Sequence, residues 1–271
     1  VIVTEAPGKG VGHVVLQKDH TDLALQLARA FGNQTFQPPA PRALLEFLAL
    51  NHDRGWDEVD ERIQRNPKTG LPYGLVSTPL PELLATGPRS IDFNARHHPY
   101  CGLLACMHIW GLFNGRYGMS DKIVVDMLQG EAKAKADAML AAVRRREAEL
   151  RAGLEADPEF RAYVAPDKLM QNYKLLQLFD TLSLYFNECV GRDGEPTRFL
   201  HVPFDASRDG PLQLTPLAHK TYRLAPFPFA GNELVVRLKS YTVPVLDQDV
   251  DYRKVFAETP ATTETITLVA S

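Results

Sequence analysis

The residues best suited to chemistry begin with Asn51-His52-Asp53-Arg54-Gly55-Trp56-Asp57, which follows an apolar helical run ending at Leu50. An imidazole beside a carboxylate offers two good ligands for a divalent cation such as Fe, Mn or Zn. Neighbouring helical residues point about 100° apart, so both reach one spot only near a helix end or a groove. Alone, the pair also fits a histidine on a helix C-terminus followed by a turn aspartate. Three further groups weigh against that simpler reading. His20 falls on the stripe of Leu16, Leu23, Leu27 and Phe31. His108 lies four after Leu104 and four before Leu112, and Asp180 shares a stripe with Tyr173, Leu176 and Leu184. Burying an unpaired carboxylate costs on the order of several kcal/mol. No lysine or arginine on these stripes neutralises Asp53 or Asp180. One or two divalent ions would satisfy all of these groups, so His20, His52, Asp53, His108 and Asp180 are the expected metal ligands.

Other histidines fit less well. His97 and His108 are roughly 16 Å apart along a continuous helix, too far for one ion or for two ions about 4 Å apart. His97 and His98 are expected at a helix entrance, lining the pocket or capping the helix. His13, His201 and His219 have no comparable context.

The elements that must hold these groups are mainly helical. A short strand is expected over 1–4 and a turn at Pro7-Gly8-Lys9-Gly10. Apolar periodicity predicts helices over about 13–31, with His20, and 42–52, leading into His52. Prolines and glycines crowd 54–95, which predicts an irregular, lid-like segment with short helices near 56–63 and 80–85. Pro99 in a first turn opens a third helix. That helix is apolar on nearly every side through Phe113 and therefore central. Residues 120–157 are charged and alanine-rich over a thin apolar stripe, which predicts a peripheral helical arm. A helix over about 166–189 carries Asp180. At Arg192-Asp193-Gly194-Glu195-Pro196 the period shifts toward two, with strands expected near 198–202, 212–215, 221–224, 234–238 and 266–269. The expected fold is mainly α: a helical metal-binding core over 1–190, with 191–271 a β-rich extension forming a small antiparallel sheet packed on it.

In chain order, four motifs carry a resemblance: Gln17-x-x-His20; His52-Asp53-x-Gly55-Trp56-x-x-x-Asp60; Leu103-Leu104-x-x-x-His108; and Leu175-Leu176-Gln177-x-x-Asp180-x-Leu182-Ser183-Leu184. Together they resemble the HD-domain superfamily of metal-dependent phosphohydrolases. The likeness is specifically to an HD-like bacterial family known mainly as a domain of unknown function, over about residues 1–245. The resemblance implies an HD-like helical bundle in which His20, His52, Asp53 and Asp180 bind one ion. Histidines between the His-Asp pair and the last aspartate build a second metal site in some members, and His108 stands there in this chain. The glycine-tyrosine-proline signature of cyclic dinucleotide phosphodiesterases is missing.

The expected activity is hydrolysis of a phosphoester or other small anionic ester by a metal-activated water. Asp57 or Asp53 would orient that water, Arg54 would contact an anionic group of the substrate, and Trp56 and His98 would wall the pocket. Two alternatives stay open: an HD-type diiron oxygenase, implied by the resemblance, and a non-catalytic protein that uses the ion as a structural clip.

Composition narrows the partners. With 271 residues the chain suffices for one large domain or two small ones. A net charge of −3 gives no general attraction to nucleic acid or an anionic membrane. No apolar run approaches the ~20 residues that span a bilayer, and the first residues lack a signal-peptide pattern. Cys101, Cys106 and Cys189 are odd in number and lack metal-ligand spacing, so free thiols in a reducing cytoplasm are expected. The expected partner is a small-molecule substrate, with a homo-oligomer left open.

Overall fold

The computed structural model of the protein describes residues 1–6, 8, 10–188, 196–247 and 251–270. Pro7 and Lys9 of the expected first turn, Cys189, and the predicted boundary at 192–195 lie outside the described residues.

The chain opens with a hairpin, β1 (Ile2–Ala6) and β2 (Val11–Val15), paired antiparallel from Ile2↔Val15 to Ala6↔Val11. Helix α1 (Gln17–Ala30) follows, so the helix expected over 13–31 starts later. The valines at 11, 14 and 15 are β-branched and pack well on a pleated surface. Because they are also apolar, the helical stripe read backwards into a strand. The first turn of α1 is capped from a distance: Asp60 Oδ2 accepts the backbone N–H of Gln17 at 2.6 Å.

Helix α2 (Arg42–Asn51) ends at His52. A single tight turn, Arg54–Trp56, leads into α3 (Asp57–Arg62). Helix α4 then runs unbroken from Leu80–His97 with Pro88 inside it. The region expected to be irregular therefore contains an 18-residue helix. Tertiary packing overrides the local cost of the proline and of Gly87. Gly87 is required there, because a Cβ would stand 2.8 Å from Ile109 on the neighbouring helix. That neighbour, α5 (Pro99–Phe113), is buried along almost its whole length. Helix α6 (Gly130–Ala156) buries Ala136, Leu140, Val143, Glu147, Leu150 and Leu154. It covers the core rather than projecting as an arm, and its buried Glu147 is held by Arg144 at 2.5 Å and Arg151 at 3.5 Å. Helix α7 (Pro166–Glu188) carries Asp180 through the centre.

Five more strands follow: β3 (Thr197–Pro203), β4 (Asp209–Ala218), β5 (Thr221–Ala225), β6 (Glu233–Pro244) and, after helix α8 (Tyr252–Glu258), β7 (Thr262–Val269). All seven strands form one sheet in the order β1-β2-β6-β7-β5-β4-β3. Among the described residues, only the β5–β7 pair is parallel. Strand β2 pairs with β6 through Val11↔Pro244, so strands from the beginning and the end of the chain share the sheet.

This corrects the expected fold class. The protein is α+β with a large seven-stranded mixed sheet, not a mainly α, HD-like helical bundle with a small C-terminal antiparallel sheet. The strand expected over 1–4 is β1, and it joins the sheet; the difference comes from β2, taken into the first helix, and from the length of β6, which joins the two ends. One core lies between the sheet and the helices, where Leu23 and Leu27 of α1, Phe31 just after it, and Phe179 and Leu182 of α7 meet Leu212, Leu224, Leu238 and Leu268. A second lies among α2, α5, α6 and α7, around Leu48, Leu104, Val143 and Leu176. Helix α7 touches both, which is why it is apolar on opposite faces. Among the described residues no helix is long and apolar enough to cross a membrane.

Candidate metal centre

Four helices bring the five expected ligands together where the two cores meet. His20 comes from α1, His52 from the end of α2, Asp53 from the next residue, His108 from α5 and Asp180 from α7. His20 and His52 are fully buried, His108 is 1% and Asp180 4% exposed. One coordinating atom each from His20, His52 and Asp53 lie within 4.8 Å of one another, and so do those of His52, His108 and Asp180. The rings of His20 and His52 meet edge-on with centroids 5.4 Å apart, and those of His52 and His108 at 5.3 Å.

The separations distinguish this group from an ordinary polar network. Asp180 Oδ1 lies 3.3 Å from His20 Nε2 and 3.7 Å from His52 Nε2, and Asp53 Oδ2 lies 3.9 Å from His52 Nε2. Both Nε2 atoms are buried without a hydrogen-bond partner. Ligands about 2.1 Å from a common ion stand roughly 3.0–3.4 Å apart; the 3.3 Å separation falls in that range, and the other two would close by a few tenths of an ångström around an ion.

The remaining ring nitrogens are engaged. His52 Nδ1 donates to the carbonyl of Ala49 at 2.8 Å, so the ring offers its Nε2 lone pair to an ion once the Nε2 proton leaves. His20 Nδ1 lies 2.9 Å from Ser183 Oγ. The single Ser183 hydroxyl proton goes to the His20 carbonyl at 2.9 Å, so the serine oxygen accepts Nδ1–H and Nε2 again carries the lone pair. Asn187 Nδ2 stands 2.9 Å from the same nitrogen, and a half-turn of that amide would bring its oxygen to face the ring and fit this tautomer. Gln177 meets His108 Nδ1 at 2.8 Å, and its Oε1 is likewise buried without a partner. A half-turn of that amide lets the oxygen accept Nδ1–H and frees His108 Nε2.

The turn that carries His52 and Asp53 is held by α4. Gly55 N–H donates to Ser90 Oγ at 2.9 Å, and Asn94 Nδ2 donates to the carbonyl of Asn51 at 2.8 Å. Any side chain at Gly55 would put its Cβ 1.9 Å from the carbonyl oxygen of Thr86. Glycine is therefore obligatory for the turn to lie flat on the helix.

The field inside the site favours separated charges. Burial alone pushes His52 down, but Asp53 and Asp180 outweigh it and hold the imidazole up to about 9. His108 is driven down to about 4 by burial and stays neutral, as a ligand must. Burial would raise the Asp180 carboxyl; contacts with His20 and His52 overcome it and hold the group well below the usual carboxylate range. Among the described residues no lysine or arginine pairs with these carboxylates, and the donor set of three imidazoles and two carboxylates suits a first-row divalent ion.

The other expected site residues lie apart from this convergence. Arg54 pairs with Asp57 at 2.9 Å, both partly exposed, and its guanidinium sits 5.2 Å from the centre of the Phe93 ring. Trp56 is 5% exposed and packed. His98 caps α5, its Nδ1 accepting the backbone N–H of Tyr100 at 3.0 Å, and leans on Phe160 at 4.4 Å. His97 stacks on Phe47 at 3.5 Å. The sequence reading assigned no role to Gln177, Ser183 and Asn187, the groups that orient the imidazoles. Their signal was a polar stripe at spacings of three and four through Asp180 on an otherwise apolar helix.

Residues 2–245 match the family described as a protein of unknown function, DUF3891, and the chain belongs to that family. No curated protein and no solved structure gives a significant match. The HD-domain resemblance is thereby corrected. The family match brings no HD domain with it, and the seven-stranded sheet is foreign to an HD helical fold. The shared features are a His-Asp dipeptide and three well-spaced partners, which a different fold can also bring together.

Proposed function

We propose that this protein is a metal-dependent hydrolase of a phosphoester or other small anionic ester, with the ion held by His20, His52, Asp53, His108 and Asp180. The observation that carries the reading is the pair of buried, unpartnered Nε2 atoms facing one carboxylate oxygen at 3.3 and 3.7 Å. A divalent ion there would lower the pKa of a bound water and polarise an ester oxygen. Asp53 is the better-placed carboxylate to orient the water: its side chain is 12% exposed, at the open edge of the group. Asp57 is engaged by Arg54. Cys101 and Cys106 are buried free thiols, pushed up to about 12 by burial, which suits a reducing cytoplasm.

One feature favours a second reading. His52 belongs to both ligand groups, so the donors divide into two overlapping sets. Two irons there would support O₂-dependent oxidation instead. Purified protein stripped of metal and reloaded with Mn, Fe or Zn should hydrolyse phosphomonoesters equally well with and without air. Turnover only with iron, accompanied by O₂ consumption, would replace hydrolysis by oxidation. Failure to retain any of the three metals would overturn both readings.

A further inference from the structure

A cavity of about 320 Å³ lies between α7, β3 and the turn at 115–120, linked to the candidate ligands through Gln177, which holds the Nδ1 side of His108. Its walls include Arg116, Lys174, Gln177, Arg198 and His201. Among the described residues, no carboxylate pairs with Arg116 or Arg198. Asp209 answers only Lys174, directly, and His201, at 3.9 Å. The wall is thus positively charged in a chain whose net charge is −3. Two of these side chains are set by unusual backbone on opposite sides of the space. Arg116 has φ 51° and His201 φ 58°. Left-handed backbone is uncommon outside glycine, and such strain often occurs at ligand sites. His201 also lies on a β-bulge: Phe199 pairs with Leu212 and Val202 with Gly210, so β3 carries one extra residue. Bulges re-aim side chains in this way.

The cavity and the metal centre share Gln177. One end of its amide holds His108 Nδ1 at 2.8 Å, and the other end has no partner although the residue is only 6% exposed. With the amide oxygen on His108, the unpartnered atom becomes an N–H₂ donor on a residue that lines the cavity.

We infer that this cavity binds a tetrahedral oxyanion such as phosphate, through Arg116, Arg198 and the Gln177 amide. The anion site does not depend on the hydrolase reading. Two guanidinium forks suit a tetrahedral, multi-oxygen anion better than a single carboxylate.

The test is binding of inorganic phosphate to the full chain by calorimetry, in metal-loaded and metal-stripped protein. Wild type is expected to bind in both states. Arg116→Gln and Arg198→Gln are expected to weaken binding about tenfold each, with metal content unchanged, and acetate at equal ionic strength should not compete. Arg198 is an exposed strand residue, so its variant folds even if Arg116→Gln does not. Phosphate binding that disappears on stripping the metal and ignores both substitutions would overturn the cavity while leaving the metal reading intact. Acetate competing as well as phosphate would overturn the tetrahedral-oxyanion assignment. A wild type that takes up no metal yet binds phosphate through both arginines would sink the metal reading and keep the anion site.

Discussion

His13 and His52 are both buried beside carboxylates, one in the sheet and one among the helices, and their surroundings differ in kind. In the sheet, His13 Nε2 meets Glu264 Oε1 at 2.9 Å, Ser240 Oγ donates to the same oxygen at 2.5 Å, and Lys220 neutralises the other oxygen. Only His13 Nδ1 lacks a partner there. Among the helices, three imidazoles surround Asp180 and Asp53 with no cation, and the imidazole-to-carboxylate distances run from 3.3 to 3.9 Å. The first arrangement leaves one ring nitrogen open but satisfies its carboxylate with a lysine, a hydroxyl and an imidazole, and ties three strands together. The second is held open by groups behind it, Ser183, Gln177 and the Ala49 carbonyl, each engaging the far side of a ring. A polar group whose own bonds are satisfied stabilises the fold. One whose supports are satisfied while its front is not is arranged for something else.

The difference breaks most sharply at Asp180. Asp180→Asn and His52→Ala are each expected to lose bound metal almost completely, measured by elemental analysis, while circular dichroism stays native. Stoichiometric metal in either folded variant would erase the distinction. Next in size is the pH dependence of metal affinity. In metal-free protein His52 is held up to about 9, so an ion binds only as that proton leaves. Affinity should rise roughly tenfold per pH unit between about pH 6 and 9 and then level, as read by chelator competition. Supporting groups come third: Gln177→Ala and Ser183→Ala should each weaken metal binding about 10–100-fold.

The sheet network answers in stability instead. Glu264→Gln should cost about 2 kcal/mol, less than a fully buried pair because Lys220 is 28% exposed, and leave metal content unchanged. Burial opposes ionisation of Glu264, but His13, Lys220 and Ser240 prevail and hold it down to about 2. The folded value is below the ordinary one near 4.5, so this stabilisation is present above about pH 4.5. It is lost as pH falls toward about 2, a change that denaturant titrations of wild type against Glu264→Gln would follow. The smallest effect is expected at Arg54→Ala. Its pair with Asp57 is surface-exposed and worth under about 1 kcal/mol, and metal content should not change.

The same contrast explains what could be read from sequence. His20, His108 and Asp180 stood out because an ionisable group on an apolar helical stripe conflicts with its neighbours, and that conflict is local in sequence. Nothing local marks His13 and Glu264 as partners; they meet only because β2, β6 and β7 lie side by side. The seven-stranded sheet was lost for a related reason, since it is assembled from both ends of the chain. Helix α4 was hidden by Pro88 and Gly87, whose costs are offset by packing against α5. The cationic cavity depends on left-handed backbone at Arg116 and His201, which no residue pattern announces.

Anomalous diffraction from crystals loaded with Mn, Fe or Zn addresses the centre itself. The expected result is a peak about 2.0–2.3 Å from His20 Nε2, His52 Nε2 and the Asp180 carboxylate. Crystals grown in excess metal that show no peak there, with both Nε2 atoms closed onto Asp180 at about 2.9 Å, would contradict it.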